Sequence, residues 1–200
     1  MIPKRLKKGD KIMVIAPSGS LARLDHKNFE IAKQRLEKLG LEVIISPNAY
    51  NVDEYSTSTI EERVSDLHMA FSDKDIKMII CAIGGYGVIQ ILDKLDYDLI
   101  KNNPKIIIGY SDNTALLNAI YKMTGIATYL GPNFTDFAVK QGFDYTLNYF
   151  IKATFYNEDI EIIDSEEYSD DKWYINQDNR IFLPNEGRFV VNEGNAQGTI

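Results

Sequence analysis

The chain is poor in the residues that build covalent and metal-bound frameworks. It holds one cysteine, Cys81, and two histidines, His26 and His68. A single thiol excludes a disulfide framework and a multi-thiolate zinc site. Cys81 lies inside the apolar run "MIICAI", where a cysteine serves as a small hydrophobe rather than a reactive thiol. No apolar stretch approaches the ~20 residues needed to cross a bilayer. The first eleven residues carry five Lys or Arg, but "IMVIAP" after them is too short for a signal-peptide core and reads as a strand. Cations are scarce as well: 22 Lys and Arg face 29 Asp and Glu, for a formal net charge of −7. That balance argues against nucleic-acid binding through displaced counterions. A soluble, cytoplasmic protein with neither a nucleic-acid nor a membrane partner is expected.

What is present suits a sizeable core. With 44% hydrophobic residues in 200, the chain fits one globular domain, or one domain and part of another. Short β-branched runs alternate with helical patterns. "KIMVIAP", "LEVIISP", "IKMIICAI", "PKIIIG" and "IATYLGP" read as strands. "FEIAKQRLEKLG", "STIEERVSDLHMAFSD", "VIQILDKL", "NTALLNAIYKMTG" and residues 142–156 read as helices. Ser58 and Glu61 have the spacing of a capping box for the second helix. Near-continuous apolar strands separated by single helices predict an α/β fold, a parallel sheet flanked by helices. In such sheets ligands gather beyond the carboxyl ends of the strands. The turns "PSGS", "GGYG" and "GYSDN" all fall there. Beyond residue 157 the pattern changes: an acidic run leads into short strand-like pieces without a clear helix. We therefore expect a domain over residues 1–157, then a connection and the incomplete start of a smaller β-rich domain over 158–200. The acidic run reads as a solvated connection, not a metal site.

Ser111 sits where a buried strand turns into a helix. That position can expose a nucleophilic hydroxyl next to helix N–H groups able to stabilise an oxyanion. The match to the elbow pattern G-x-S-x-G is partial, because "GYSDN" ends in Asn113. Ser111 or Asp112 could equally serve as a helix cap, and the local sequence favours the cap. Gly84, Gly85 and Gly87 let the backbone approach a ligand, yet they form neither a dinucleotide fingerprint nor a P-loop. A tight turn alone would explain them. A serine nucleophile needs a base. His68 borders the apolar face marked by Val64, Leu67 and Phe71, and His26 lies in the polar lead-in to the first helix, with no pattern around it that suggests catalysis. Neither reads as that base.

The segments "VIAPSGS", "GGYG", "PKIIIGYSDNTALLNAIYKMTGIATYLGPNF" and "EGNAQGTI" occur in an order that resembles the S66 serine peptidases. That family holds the murein LD-carboxypeptidases and the microcin C self-immunity proteins. The resemblance implies a flavodoxin-like or glutamine-amidotransferase-like amino-terminal domain and hydrolysis of an L,D-peptide or related peptidyl-amide bond. It implies Ser111 as nucleophile of a Ser-Glu-His triad, backbone N–H groups of Gly85 and Asp112 as oxyanion donors, and substrate contact at Gly84 and Tyr86. Asp112 would then take over the capping. Ile83 stands where many murein LD-carboxypeptidases carry arginine, which leans toward the microcin-immunity branch. No metal or cofactor is implied; the family is cytoplasmic and commonly homodimeric. Its glutamate and histidine follow a later "GGN" segment, so no residue here is assigned to them and the 200-residue chain alone is expected to be inactive. A non-catalytic module binding peptide or nucleotide is the alternative from another class.

Overall fold

The computed structural model describes residues 1–195. The last five positions of "EGNAQGTI", residues 196–200, lie outside the described residues. Five strands form one all-parallel sheet: β1 (Lys11–Ile15), β2 (Glu42–Ile45), β3 (Ile76–Cys81), β4 (Ile106–Gly109) and β5 (Tyr129–Leu130). Their spatial order is β2-β1-β3-β4-β5. Between β1 and β3 the winding direction reverses, and this order is the flavodoxin-like one, with its crevice beyond the carboxyl ends of those two strands.

Helices cover both faces. They are α1 (His26–Lys38), α2 (Ile60–Ser72), α3 (Tyr97–Asn102), α4 (Asn113–Thr124) and α5 (Asp144–Phe155). On one face Ile12, Val14, Ile80 and Ile108 pack with Leu36 of α1 and Phe150 of α5. On the other, Met13, Ile15, Ile79 and Ile107 pack with Leu67 and Phe71 of α2 and Leu116 and Ile120 of α4. This alternation follows from side chains pointing to opposite faces along a strand. In β4 all three isoleucines are at most 3% exposed. Each contributes about 1.5–3 kcal/mol of burial free energy, so the strand leading to Ser111 is firmly seated.

Several boundaries differ from the sequence reading. Helix α1 begins earlier, at His26, because the Asp25 side chain accepts from the Asn28 N–H. The capping box of α2 uses Thr59 and Glu62, one position beyond Ser58 and Glu61. "VIQILDKL" forms a 3₁₀ helix over Val88–Lys94 rather than an α-helix. Three short elements went unforeseen: a 3₁₀ helix over Leu21–Arg23, α3, capped by Asp96, and a 3₁₀ helix over Phe134–Ala138. After α5, β6 (Glu167–Tyr168) and β7 (Leu183–Pro184) pair antiparallel as a small separate sheet. Among the described residues, no helix is long and apolar enough to cross a membrane.

Candidate active site

Ser111 is exposed at the carboxyl end of β4 with φ of +62°. A serine pays for that left-handed backbone, at roughly 1–2 kcal/mol, because its Cβ crowds the following carbonyl. The strain lifts the side chain out of the strand-to-helix turn toward the glycine turn after β3. There a Cβ on Gly84 would stand 2.9 Å from both Cβ and Oγ of Ser111. Likewise a Cβ on Gly85 would stand 2.6 Å from Ser18 Oγ and 3.1 Å from the Gly19 nitrogen. Gly19 in turn has the Gly84 carbonyl oxygen 2.6 Å from where its own Cβ would lie. The glycines are therefore required by packing: three turns from three βα units close on one another, and side chains would hold them apart.

Polar side chains fix that closure. Asp112 Oδ2 accepts from Ser18 Oγ at 2.5 Å and from the Val88 N–H at 2.9 Å. The buried Arg63 donates to the carbonyls of Pro17 at 3.2 Å and Gly87 at 2.8 Å, and to Gln90 Oε1 at 2.8 Å. Burial lowers the pKa of this guanidinium, opposed by Asp53, Asp112 and Glu61. Asn113 is fully buried and donates to the Ile83 carbonyl at 3.0 Å and to Asn133 Oδ1 at 3.2 Å. The expected cap is absent: neither Ser111 nor Asp112 caps α4 by its side chain. The carboxylate serves the neighbouring turns instead, leaving the start of α4 without a contribution usually worth about 1 kcal/mol.

A cavity of about 670 Å³ opens beside Ser111, walled by Leu130, Pro132, Phe143, Trp173 and Arg180. Asp136 also faces it. Its carboxylate accepts from the Asn133 N–H at 2.8 Å and from the Tyr110 hydroxyl at 3.3 Å. Burial pushes Asp136 up to about 6 against those hydrogen bonds, and burial together with Asp136 pushes Tyr110 up to about 12. A smaller hollow of about 280 Å³ lies on the other side of the glycine turn, between Ser18, Thr57, Gly85 and Tyr86. The Tyr86 side chain is 98% exposed.

Residues 12–131 match the family model described as the LD-carboxypeptidase N-terminal domain, peptidase family S66. The chain belongs to the S66 family. A putative carboxypeptidase of Bacillus subtilis, YocD, is 46% identical over 200 residues, covering all of this chain and 62% of the relative. The crystal structure of an MccF-like protein from Bacillus anthracis superposes with a TM-score of 0.93 at 49% identity, covering 94% of this chain and 57% of that one. The microcin C7 self-immunity protein MccF in complex with aspartyl sulfamoyl adenosine gives a TM-score of 0.86 at 30% identity, covering 93% of this chain and 58% of that one. The chain thus spans about 60% of the length of the relatives it matches.

Against this S66 background the residues singled out by sequence separate cleanly. Ser111, Gly84, Gly85 and Asp112 converge at the carboxyl end of the sheet, beyond β3 and β4, with Tyr86 projecting beside them. The two histidines stay away. His68 Nε2 accepts from the Asp96 N–H at 2.9 Å between α2 and α3, and His26 is exposed at the first position of α1. Cys81 is buried, and desolvation pushes its thiol up to about 12, as expected of a packed hydrophobe. Among the described residues, no group of three or more His, Cys, Asp or Glu is placed to hold a metal ion. Sequence reasoning missed Ser18, Arg63, Asn113's partner Asn133, and Asp136. "PSGS" did flag the neighbourhood of Ser18, but nothing in "IEERVSD" distinguishes a buried arginine from a solvated one.

Proposed function

We propose that this chain carries the nucleophile half of a serine hydrolase that cleaves an L,D-peptide or related peptidyl-amide bond. The observation that carries the reading is the strained Ser111 elbow packed directly on Gly84, in a chain of the S66 family. Ser111 Oγ attacks the carbonyl carbon, and the N–H groups of Gly85 and Asp112 receive the developing oxyanion. A histidine takes the serine proton and delivers it to the leaving amine, oriented by a glutamate. Water then repeats the sequence on the acyl-enzyme. By resemblance, that histidine and glutamate fall in the part of the longer relatives that this chain does not span. Residues 1–157 form the nucleophile domain on this reading, and 158–200 open the domain that completes the pocket. Gly84 and the exposed Tyr86 line the path of the substrate. The resemblance also supports a cytoplasmic homodimer, which light scattering on a catalytically complete form would test.

The test joins residues 1–200 to the remaining carboxy-terminal region of the Bacillus subtilis relative. The chimera is assayed for release of a D-amino acid from an L,D-peptide and for cleavage of an aminoacyl-nucleotide amide. We expect turnover of at least one substrate, abolished by Ser111→Ala. Turnover surviving that substitution would overturn the assignment, and turnover by residues 1–200 alone at a rate matching the chimera would overturn the incompleteness. Ligand binding without any trapped acyl-enzyme would point to a non-catalytic binding module.

A further inference from the structure

We infer that the Asp112 carboxylate is the positioning group that sets the oxyanion hole, holding the glycine turn in register with the Ser111 elbow. The inference rests on the reading of Ser111 as nucleophile and adds a role for a side chain whose backbone alone that reading employs. An oxyanion hole built from Gly85 and Asp112 takes its two donors from different βα units. Their separation is therefore not set by local geometry and must be imposed by contacts between the turns.

Those contacts converge on one carboxylate. Asp112 is adjacent to Ser111, and its Oδ2 accepts from Val88 N–H at 2.9 Å, immediately after the glycine turn. The same oxygen accepts from Ser18 Oγ at 2.5 Å. Ser18 Oγ in turn lies 2.6 Å from where a Cβ on Gly85 would stand, so it forms the floor under the second oxyanion donor. One side chain thus fixes both the end of the glycine turn and the group beneath its middle. The other end is held by the Asn113 side chain on the Ile83 carbonyl at 3.0 Å. From the far side, Arg63 grips the Pro17 and Gly87 carbonyls. Consecutive residues of the elbow, Asp112 and Asn113, therefore clamp the glycine turn at its two ends. The position opening α4 forgoes its usual capping bond for this purpose. A local rule broken at a site, with a compensating long-range contact, is the mark of a functional constraint. Both partners donate hydrogen bonds, so the acceptor must be able to take two at once from different directions. A carboxylate can, and these charge-assisted bonds are stronger and more directional than neutral ones.

Asp112→Ala leaves its own backbone N–H in place and removes only the clamp. In the chimera described above, we expect kcat to fall about 10²-fold with KM changed less than about threefold, as for loss of an interaction made in the transition state. Ser18→Ala should cost about tenfold, and Ser18→Ala combined with Asp112→Ala no more than Asp112→Ala alone, because the two act through one contact. Asp112→Asn, which keeps an acceptor oxygen, should recover part of the loss. In residues 1–200 themselves, Asp112→Ala should speed amide hydrogen exchange over residues 83–88 by about tenfold or more, while β1, β3 and β4 keep their protection. Exchange over 83–88 equal to wild type would overturn the inference whatever the chimera does. So would an unchanged kcat in a chimera that Ser111→Ala inactivates. A chimera indifferent to Ser111→Ala would instead sink the nucleophile reading and leave the exchange result to judge the clamp. A general loss of protection across the sheet would show Asp112 to be a fold residue and refute the positioning role.

Discussion

Gly84→Ala tests the geometry of the elbow with a single methyl group. The added Cβ would stand 2.9 Å from Ser111 Cβ and 2.9 Å from Ser111 Oγ, where ordinary contact begins near 3.4 Å. One of the two turns must therefore give by about 0.5 Å or more. Rotating the serine side chain cannot relieve the clash, because Cβ itself is one of the crowded atoms. Nor can the elbow slide back, since β4 is anchored by three buried isoleucines and Ser111 already sits at φ of +62°. Overpacking of this kind costs about 1–3 kcal/mol. For a chain of this size that is roughly 2–10 °C in melting temperature. The larger effect falls on chemistry: reacting groups must be held within about 0.5 Å, and a displacement near 1 Å costs on the order of 10²-fold. In the chimera we expect kcat to drop about 10- to 100-fold, with KM little changed. Gly125→Ala is the matched control. Gly125 has φ of +73° and nothing within 4 Å of an added Cβ, so it should lose about 1 kcal/mol of stability through backbone strain while kcat stays put. Wild-type kcat in Gly84→Ala would refute the proposed packing of the glycine turn on the nucleophile.

Three other perturbations probe separate parts of the site. Ser111→Gly relieves the left-handed strain that Ser111→Ala retains, so equilibrium denaturation should find the glycine variant about 0.5–1.5 kcal/mol more stable than the alanine variant; equal stabilities would show that the turn is unstrained. Asp136, raised to about 6, binds its proton more tightly in the folded chain than in the unfolded one, where release occurs near 3.8. Its contribution therefore makes stability fall as pH rises from about 4 to about 6 and level off above, by at most about 3 kcal/mol. Asp136→Asn should remove that slope, and denaturation of both forms at pH 4.5 and 7.5 would expose an error if their difference did not change. Arg63→Lys keeps the charge but cannot reach Pro17, Gly87 and Gln90 together. A loss of about 2–4 kcal/mol is expected by chemical denaturation, and a loss within 0.5 kcal/mol would mean that the fork is dispensable.

The sheet was legible because its information is local. Ile106, Ile107 and Ile108 form a run that only a strand buried on both faces would carry, and its burial is complete. Gly125 marks the end of α4 as read, adopting the left-handed conformation that its lack of a side chain permits. Errors arose where two local solutions were nearly equal. Ser58 and Thr59 are both good caps, and α2 starts at the one whose third neighbour, Glu62, can reach back to the Thr59 N–H at 3.1 Å. Helix α3 is only six residues long, too short for a periodic pattern to stand out. "IATYLGP" pairs over just two residues because the sheet edge needs no more than Tyr129 and Leu130 to close on Ile108 and Gly109.

The site was legible in a different way, and its errors are more instructive. Ser111 was visible as an apolar strand breaking into a helix, and the glycine turn as three glycines in four residues. What local reasoning misjudged was the side chain between them. Asp112 occupies a cap position, is a residue type that caps well, and does not cap. Its carboxylate has Ser18 and Val88 within reach, two donors that would otherwise be left short of partners where the turns close and water is largely excluded. Leaving a buried donor unpaired costs about 1–3 kcal/mol, whereas at the start of α4 the Thr114 and Ala115 N–H groups already donate to the carbonyls of Ser111 and Asp112 at 3.0 and 3.2 Å. The long-range contact wins on magnitude. The same arithmetic explains Arg63, whose neighbours in "IEERVSD" read as a solvated helix face. Its burial is decided by the open carbonyls of Pro17 and Gly87, which lie 46 and 24 residues away and acquire a common position only once the sheet has formed.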